Sequence, residues 1–255
     1  MTIALRKQLR QQSLPSVSFG PFRFLEAMPW LVMAAAMRLI AARTGGVVGL
    51  LAIGAASIAV LHAFLVVAQR SIELNGGQTN LGELDFSEQF RLSRALLWRL
   101  VLLMLAGTCL VAAAGYTSFA PYMMGGLDGM AFDQWTDPGK FWSAVVAALV
   151  LLMVVDAERH GGQVSFVRTL RELARRGPSM GAAVAVLGVV YLGLGLSQGW
   201  VRGAMWEIWQ VWSGGQQLKN LIYFVFIFSF AMLRLWITLL ILTYGLKQSY
   251  LHSAA

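Results

Sequence analysis

Charged side chains are scarce in this chain of 255 residues, in which they make up only 13% of the total. Soluble domains usually carry about 25% charged residues. Hydrophobic residues instead account for 58% of the chain, and the mean hydropathy is +0.65. These values exclude an ordinary soluble globular protein and predict an all-α integral membrane protein that crosses the bilayer several times.

Cysteine and catalytic motifs are also nearly absent. The only cysteine is Cys109, which excludes an intramolecular disulfide and a cysteine-based metal cluster. The chain has no HExxH, P-loop or GxGxxG pattern. Residues 195–199 match GxSxG, but they close an apolar helix and have no histidine within reach, so their glycines are better interpreted as helix-packing positions. We therefore predict no catalytic site, no metal and no cofactor.

Long polar stretches are missing as well, since the longest one between apolar runs, 70–99, has 30 residues. Such a segment is too short for a separate domain. The sequence predicts a cytoplasmic tail at 1–21, a single transmembrane domain at 22–246 and a short cytoplasmic tail at 247–255. About six spans fill that domain, at 22–42, 45–69, 100–120, 139–157, 180–201 and 220–246.

Basic residues outnumber acidic ones by 20 to 12, and their positions predict the orientation. With six spans and both termini cytoplasmic, 14 basic residues lie in inner segments and 4 in outer ones. If segment 22–42 lies on the membrane surface instead, the counts become 10 and 9. Because Lys and Arg in short loops favour the cytoplasmic side, the counts favour six spans. Orientation thus explains the excess charge, and we predict no nucleic-acid partner.

Tryptophans are concentrated after the fifth predicted span. Trp200, Trp206, Trp209 and Trp212 fall at or near the predicted outer interface, where an indole can bury its ring at headgroup level. The last three recur at every third residue, which predicts a short helix over 201–213 lying on the outer leaflet. We interpret these residues as an interfacial aromatic belt, with a lid or a partner contact as the alternative.

The two inner segments, 70–99 and 157–179, are built alike. Asp85 and Glu88 are typical of a capping box that begins the helix leading into the third span, and Ser165 predicts the start of a second amphipathic helix. The basic residues of these helices are Arg91, Arg94, Arg168, Arg171 and Arg175. We expect them to contact either anionic headgroups or a membrane or cytoplasmic protein partner.

The spacing of the inner segments also indicates an internal repeat. Arg70, Glu158 and Lys247 mark the starts of the two inner segments and of the final tail, and they are 88 and 89 residues apart. This spacing predicts three helical hairpins in parallel repeat, each followed by a cytoplasmic segment.

Few ionisable residues lie inside the predicted spans, and these are the candidate site residues. Arg234 is near the middle of the last span, with Asp156 as its candidate partner, and His62 lies in the second span. Such residues commonly face a bundle interior or a wet cavity. Arg234 could instead snorkel to the inner headgroups, and His62 could be a hydrogen-bonded core residue. We expect Arg38 to snorkel to the outer surface.

The order of these segments resembles that of bacterial six-helix membrane proteins of the YciC type. The resemblance rests on the hairpin at 22–69, on the 70–90 stretch with its late-starting helix, and on the second such loop at 159–176. It implies a multi-pass protein of the bacterial cytoplasmic membrane and carries over no catalytic residue.

Three functional classes remain open. The absence of catalytic patterns favours an accessory, assembly or scaffold subunit of a membrane complex, docked through the loops at 70–99 and 157–179. The alternative is a transporter or permease subunit for a small solute or lipid, for which Arg234 and His62 are the argument. A lipid-active enzyme would need its acids among Asp128, Asp133 and Asp137, which are more simply a solvated loop.

Overall fold

The computed structural model describes residues 26–74, 84–118, 136–160 and 163–254. This part of the chain is all-helical and contains no strand. Its helices are α1 (Met28–Thr44), α2 (Gly46–Leu74), α3 (Phe86–Ala113), α4 (Asp137–Arg159), α5 (Phe166–Arg175), α6 (Gly177–Val211) and α7 (Gln216–Ala254). The predicted tail at 1–21 and the outer residues Asp128 and Asp133 lie outside the described residues.

Five of these helices, α2, α3, α4, α6 and α7, are long and apolar enough to cross a membrane. They confirm five of the predicted spans. The fold is therefore that of a multi-pass α-helical membrane protein. α1 has 17 residues, which at 1.5 Å per residue gives about 25 Å, less than the ~30 Å of a hydrocarbon core. A sixth crossing, by α1, stays a prediction, and so does the repeat of three hairpins.

Two helices begin where the sequence predicts. The Asp85 carboxylate accepts a hydrogen bond from the next backbone N–H at 2.8 Å, and the Asp85 N–H donates to Glu88 Oε2 at 3.2 Å, which completes a capping box for α3. The Ser165 hydroxyl accepts from the Arg168 N–H at 3.5 Å and caps α5. α6 follows α5 almost directly, with Pro178 in its first turn, where a missing N–H costs no hydrogen bond.

α6 runs without a break from Gly177 to Val211, so the separate surface helix expected over 201–213 is wrong. Residues 201–211 contain no proline and a single glycine, Gly203. One glycine costs a helix about 1 kcal/mol relative to alanine, which is too little to end it. The 35 residues of α6 and the 39 of α7 make helices of roughly 52 and 58 Å. Both helices are therefore longer than the hydrocarbon core.

α4 lies at the centre of the bundle. Its seven successive residues 148–154 are all at most 4% exposed, which is the pattern of a helix buried on every side. α6 approaches α4 through glycine: a Cβ at Gly195 would lie 2.6 Å from Lys140 Cε. The packing role predicted for the glycines of 195–199 is thus confirmed for Gly195.

α1 and α2 form a tight antiparallel hairpin. The chain reverses at Gly45 and Gly46, whose φ angles of +61° and +52° belong to the left-handed region that favours glycine. Ala34 of α1 packs against Ala56 and Ala59 of α2, so small side chains let the two helices approach closely. This hairpin brings the middle of α1 to the same level of the bundle as the middle of α2.

Candidate functional site

Polar side chains inside the bundle gather around two separate cavities. The first, named here the apolar cavity, has a volume of about 90 Å³ and is lined by α1, α2, α4, α6 and α7. Its lining is mainly aliphatic and aromatic. Its polar lining residues are Arg38, Ser143, Tyr191, Arg234 and Thr238, and the described lining contains no Asp or Glu. Two arginines that are far apart in the sequence thus line one mainly apolar space.

Arg234 is held next to a buried tyrosine. Its guanidinium carbon lies 5.5 Å from the ring centroid of Tyr191, within the range of a cation–π contact. The Thr238 hydroxyl donates to the Arg234 carbonyl oxygen at 2.6 Å and accepts from the Tyr191 hydroxyl at 2.5 Å. This chain of hydrogen bonds fixes the tyrosine ring beside the arginine. Tyr191 itself is only 2% exposed.

The second cavity, named here the polar cavity, has a volume of about 210 Å³ and lies at the end of the bundle where α4, α5 and α7 meet. At its base the buried carboxylate of Asp156 accepts from Arg168 Nε at 3.0 Å and Nη2 at 3.2 Å, and from the Ser165 N–H at 3.1 Å. His160 Nδ1 lies 3.1 Å from the same carboxylate. Asp156 therefore ties the start of α5 to the end of α4.

The other wall of the polar cavity is built around Tyr250 of α7. The Arg176 guanidinium carbon lies 4.0 Å from the Tyr250 ring centroid, and Arg159 donates a hydrogen bond to the Tyr250 hydroxyl. Arg176 also donates to Glu172 at 2.9 Å and to the Ser249 hydroxyl at 2.8 Å. The end of α7 is thereby connected to α4 and to the junction of α5 and α6.

The structure gives Asp156 a different partner from the one the sequence indicated. The expected pair was Arg234 with Asp156, but Asp156 binds Arg168, and Arg234 lines the other cavity. The physical reason is local: the start of α5 returns to the end of α4 and offers a guanidinium and a backbone N–H together. Arg168 binds the buried carboxylate through two nitrogen atoms and is close to it in the sequence, whereas Arg234 belongs to a helix that is far away in the sequence.

His62 lies outside the lining of both cavities. It is 4% exposed and packs against Trp30 at a centroid distance of 4.0 Å and Phe86 at 6.0 Å. The contact joins α1, α2 and the first turn of α3 in one aromatic cluster. The structure thus separates His62 from Arg234 and Asp156, with which it was grouped as an intramembrane polar site.

The predicted basic contacts divide into two groups. Arg168 faces inward to Asp156, whereas Arg91 and Arg94 are exposed on α3. Arg171 is exposed and lines the mouth of the polar cavity. The side chain of Arg175 is 76% exposed and lies outside that lining, 4.0 Å from Glu172.

The four tryptophans of the predicted aromatic belt lie in the last part of α6 and at the start of the turn to α7. Trp200 is 85% exposed and Trp206 is 63% exposed. Trp209 makes an edge contact with Tyr223 of α7 at a centroid distance of 6.0 Å, and Trp212 packs over Gly214 in the turn. The last two therefore stabilise the turn, while the first two are open to the surroundings of the bundle.

Sequence reasoning missed several residues of both cavities. Arg38 was expected to snorkel to the outer surface, and its place in the lining of the apolar cavity was missed. Tyr191 and Tyr250 carry no sequence signal of their own, because their role depends on which helices are neighbours. The one sequence feature that could have indicated such residues was a polar side chain in an apolar helix, such as Ser143, because such side chains commonly face the bundle interior.

No family model, curated protein or solved structure matches this chain. The described residues contain no group of three or more His, Cys, Asp or Glu side chains that could hold a metal ion. The function must therefore be inferred from the two cavities.

Proposed function

We propose that this protein binds a small carboxylate, or the carboxylate end of an amphiphile, in its apolar cavity, and that it belongs to a transporter or permease for such ligands. The observation that carries this proposal is that Arg38 and Arg234 line one apolar cavity whose described lining contains no carboxylate. We further propose that the ligand undergoes no chemical step there.

The electrostatics of the apolar cavity favour an anion. An arginine in the centre of a transmembrane helix costs about 2.5–3.5 kcal/mol on insertion scales. Two guanidinium groups beside one small cavity also repel each other, and the repulsion is stronger in surroundings of low dielectric constant. An anion bound between Arg38 and Arg234 is attracted by both and reduces both costs.

The size and lining of the cavity indicate the class of ligand. A volume of about 90 Å³ is roughly three times the ~30 Å³ that a water molecule occupies in the liquid. It accommodates a carboxylate with a few methylene groups, and the rest of a longer chain would lie outside it. Guanidinium groups bind carboxylates in bidentate geometry, and the aliphatic lining suits a hydrocarbon chain.

The test is a binding titration with the full chain in phosphatidylcholine nanodiscs. We expect decanoate to bind and decanol, which has the same chain without the charge, to bind much less. Arg234→Gln and Arg38→Gln should each weaken decanoate binding at least tenfold, while Arg94→Gln, an exposed control on α3, should leave it unchanged. Equal binding of decanol and decanoate, or unchanged binding by both variants, would contradict the proposal.

An accessory, assembly or scaffold subunit is the second candidate function. It is favoured by the face of α5 that points away from the bundle. The exposed residues on this face are Val167, Leu170, Arg171 and Arg175. A stoichiometric protein partner that co-purifies with the wild type and is lost in the double variant Arg171→Glu and Arg175→Glu would support it. Purification without such a partner would remove it.

We also propose that the protein lies in a bacterial cytoplasmic membrane with both termini and the polar cavity on the cytoplasmic side. The basic residues of α5 support this orientation. In a Cys109→Ser background, single cysteines at Arg175 and at Gly215 should be labelled from opposite sides by a membrane-impermeant maleimide. Labelling of both positions from one side would contradict the orientation.

A further inference from the structure

The polar cavity carries more positive than negative charge. Its charged lining residues are Asp156, Arg159, Arg168, Arg171, Glu172 and Arg176. Four arginines against two carboxylates leave a net charge of +2 when His160 is neutral. This cavity is separate from the apolar cavity, and its role is independent of the function proposed above.

The two carboxylates are engaged within the cavity walls. Asp156 is bound by Arg168 through two nitrogen atoms, and Glu172 accepts from Arg176 at 2.9 Å. The net positive charge of the cavity is therefore contributed by Arg159 and Arg171. Arg159 is held by its hydrogen bond to Tyr250, whereas Arg171 is exposed and is ordered when a ligand binds.

The mouth of the polar cavity lies beside an amphipathic helix. α5 exposes Val167 and Leu170 next to Arg171, and this mixture of apolar and basic groups suits the level of the lipid headgroups. The volume of about 210 Å³ is roughly seven times the ~30 Å³ of a liquid water molecule. It has room for a phosphate group together with bridging waters.

We infer that the polar cavity is a binding site for a phosphate group, presented either by an anionic phospholipid or by a soluble phosphate ester. Guanidinium groups bind phosphate oxygens in bidentate geometry. Basic pockets between transmembrane helices, near the cytoplasmic surface, commonly bind phosphate headgroups. Arg159 and Arg171 are the residues assigned to the phosphate, and Asp156 and Glu172 position the walls.

The test measures phosphate-dependent stabilisation of the full chain in nanodiscs. The wild type in discs containing phosphatidylglycerol should unfold at a higher temperature than in phosphatidylcholine alone, because a ligand that binds only the folded state stabilises it. Arg171→Gln should weaken the apparent lipid affinity about tenfold, because it removes charge-assisted hydrogen bonds to the phosphate. Arg175→Gln removes the same charge from the same helix outside the cavity, and should retain the wild-type affinity.

Two further arms identify the source of the phosphate. Stabilisation by glycerol 3-phosphate in phosphatidylcholine discs would indicate a soluble ester, whereas stabilisation by phosphatidylglycerol alone would indicate a lipid headgroup. Both results support a phosphate site. An equal loss in Arg171→Gln and Arg175→Gln would show general attraction to a charged surface and would overturn the inference. If neither glycerol 3-phosphate nor phosphatidylglycerol stabilised the protein, the inference would be overturned as well.

Discussion

The two cavities use arginine in different ways. In the polar cavity, Arg168 and Arg176 are matched by Asp156 and Glu172 at distances of about 3 Å. In the apolar cavity, the described groups around Arg234 are a tyrosine ring and hydroxyls, and the lining has no carboxylate. The first arrangement connects helices to one another, and the second places two arginines in the lining of a mainly apolar cavity.

This difference separates a structural role from a ligand-binding role. A buried charge with several short hydrogen bonds is already satisfied, so its removal should affect folding first. Arg38 and Arg234 are half-buried beside a cavity whose described lining has no carboxylate, so their removal should affect binding of the proposed ligand first. Substitutions in the two cavities should therefore have different dominant effects, and three variants test this contrast.

The largest effect is expected for Asp156→Ala. The change removes the carboxylate that accepts from Arg168 and from the Ser165 N–H, and we expect a loss of about 3 kcal/mol in the free energy of unfolding. Denaturant unfolding in detergent measures it. Glu207→Ala, at an exposed position of α6, is the control and should cost less than ~0.5 kcal/mol. Equal losses in the two variants would show that Asp156 does not hold α5.

Gly245→Ala should have the next largest effect. A Cβ at Gly245 would lie 2.5 Å from the Ala183 Cβ, so α6 and α7 must separate close to the polar cavity. We expect a loss of about 1–3 kcal/mol. At Gly193 of α6 a Cβ meets nothing within 4 Å, so Gly193→Ala should stabilise the helix by up to ~1 kcal/mol. The same unfolding experiment checks the opposite signs.

Tyr191→Phe should have the smallest effect and should act only on the apolar cavity. It removes the hydrogen bond to Thr238 and so loosens the ring beside Arg234, with an expected cost of about 1 kcal/mol. Decanoate binding should weaken, while stabilisation by phosphatidylglycerol should stay unchanged. Tyr223→Phe, near the α6–α7 turn, is the matched control. A parallel loss of phosphatidylglycerol stabilisation in Tyr191→Phe would contradict the separation of the two cavities.

Local signals made much of this fold predictable. Apolar length predicted six crossing helices, of which five are long and apolar enough to cross a membrane. The side chains of Asp85 and Ser165 predicted the starts of α3 and α5. The prediction of a separate surface helix at 201–213 was wrong. Tryptophans at every third residue indicate one face of a helix, but they do not indicate whether that helix is separate or continues the preceding one. A spacing of three residues fits both cases.

The candidate sites were less predictable because they depend on which helices are neighbours. Arg234 was recognised because a charged residue in a transmembrane helix is energetically costly. That it lines the same cavity as Arg38 depends on α1 and α7 meeting there. The partner of Asp156 was missed because Arg168 reaches it only after the chain turns at Ser165. Charge and hydropathy mark such residues along the chain without showing how they pair.

The most direct test of a shared anion site is a double-mutant cycle on decanoate binding. It compares the wild type, Arg38→Gln, Arg234→Gln and the variant carrying both changes. If one carboxylate is held by both guanidinium groups, the two losses should be non-additive, with a coupling of about 1 kcal/mol or more. Additive losses, or decanoate affinity equal to that of the wild type in the double variant, would contradict a site formed by Arg38 and Arg234 together.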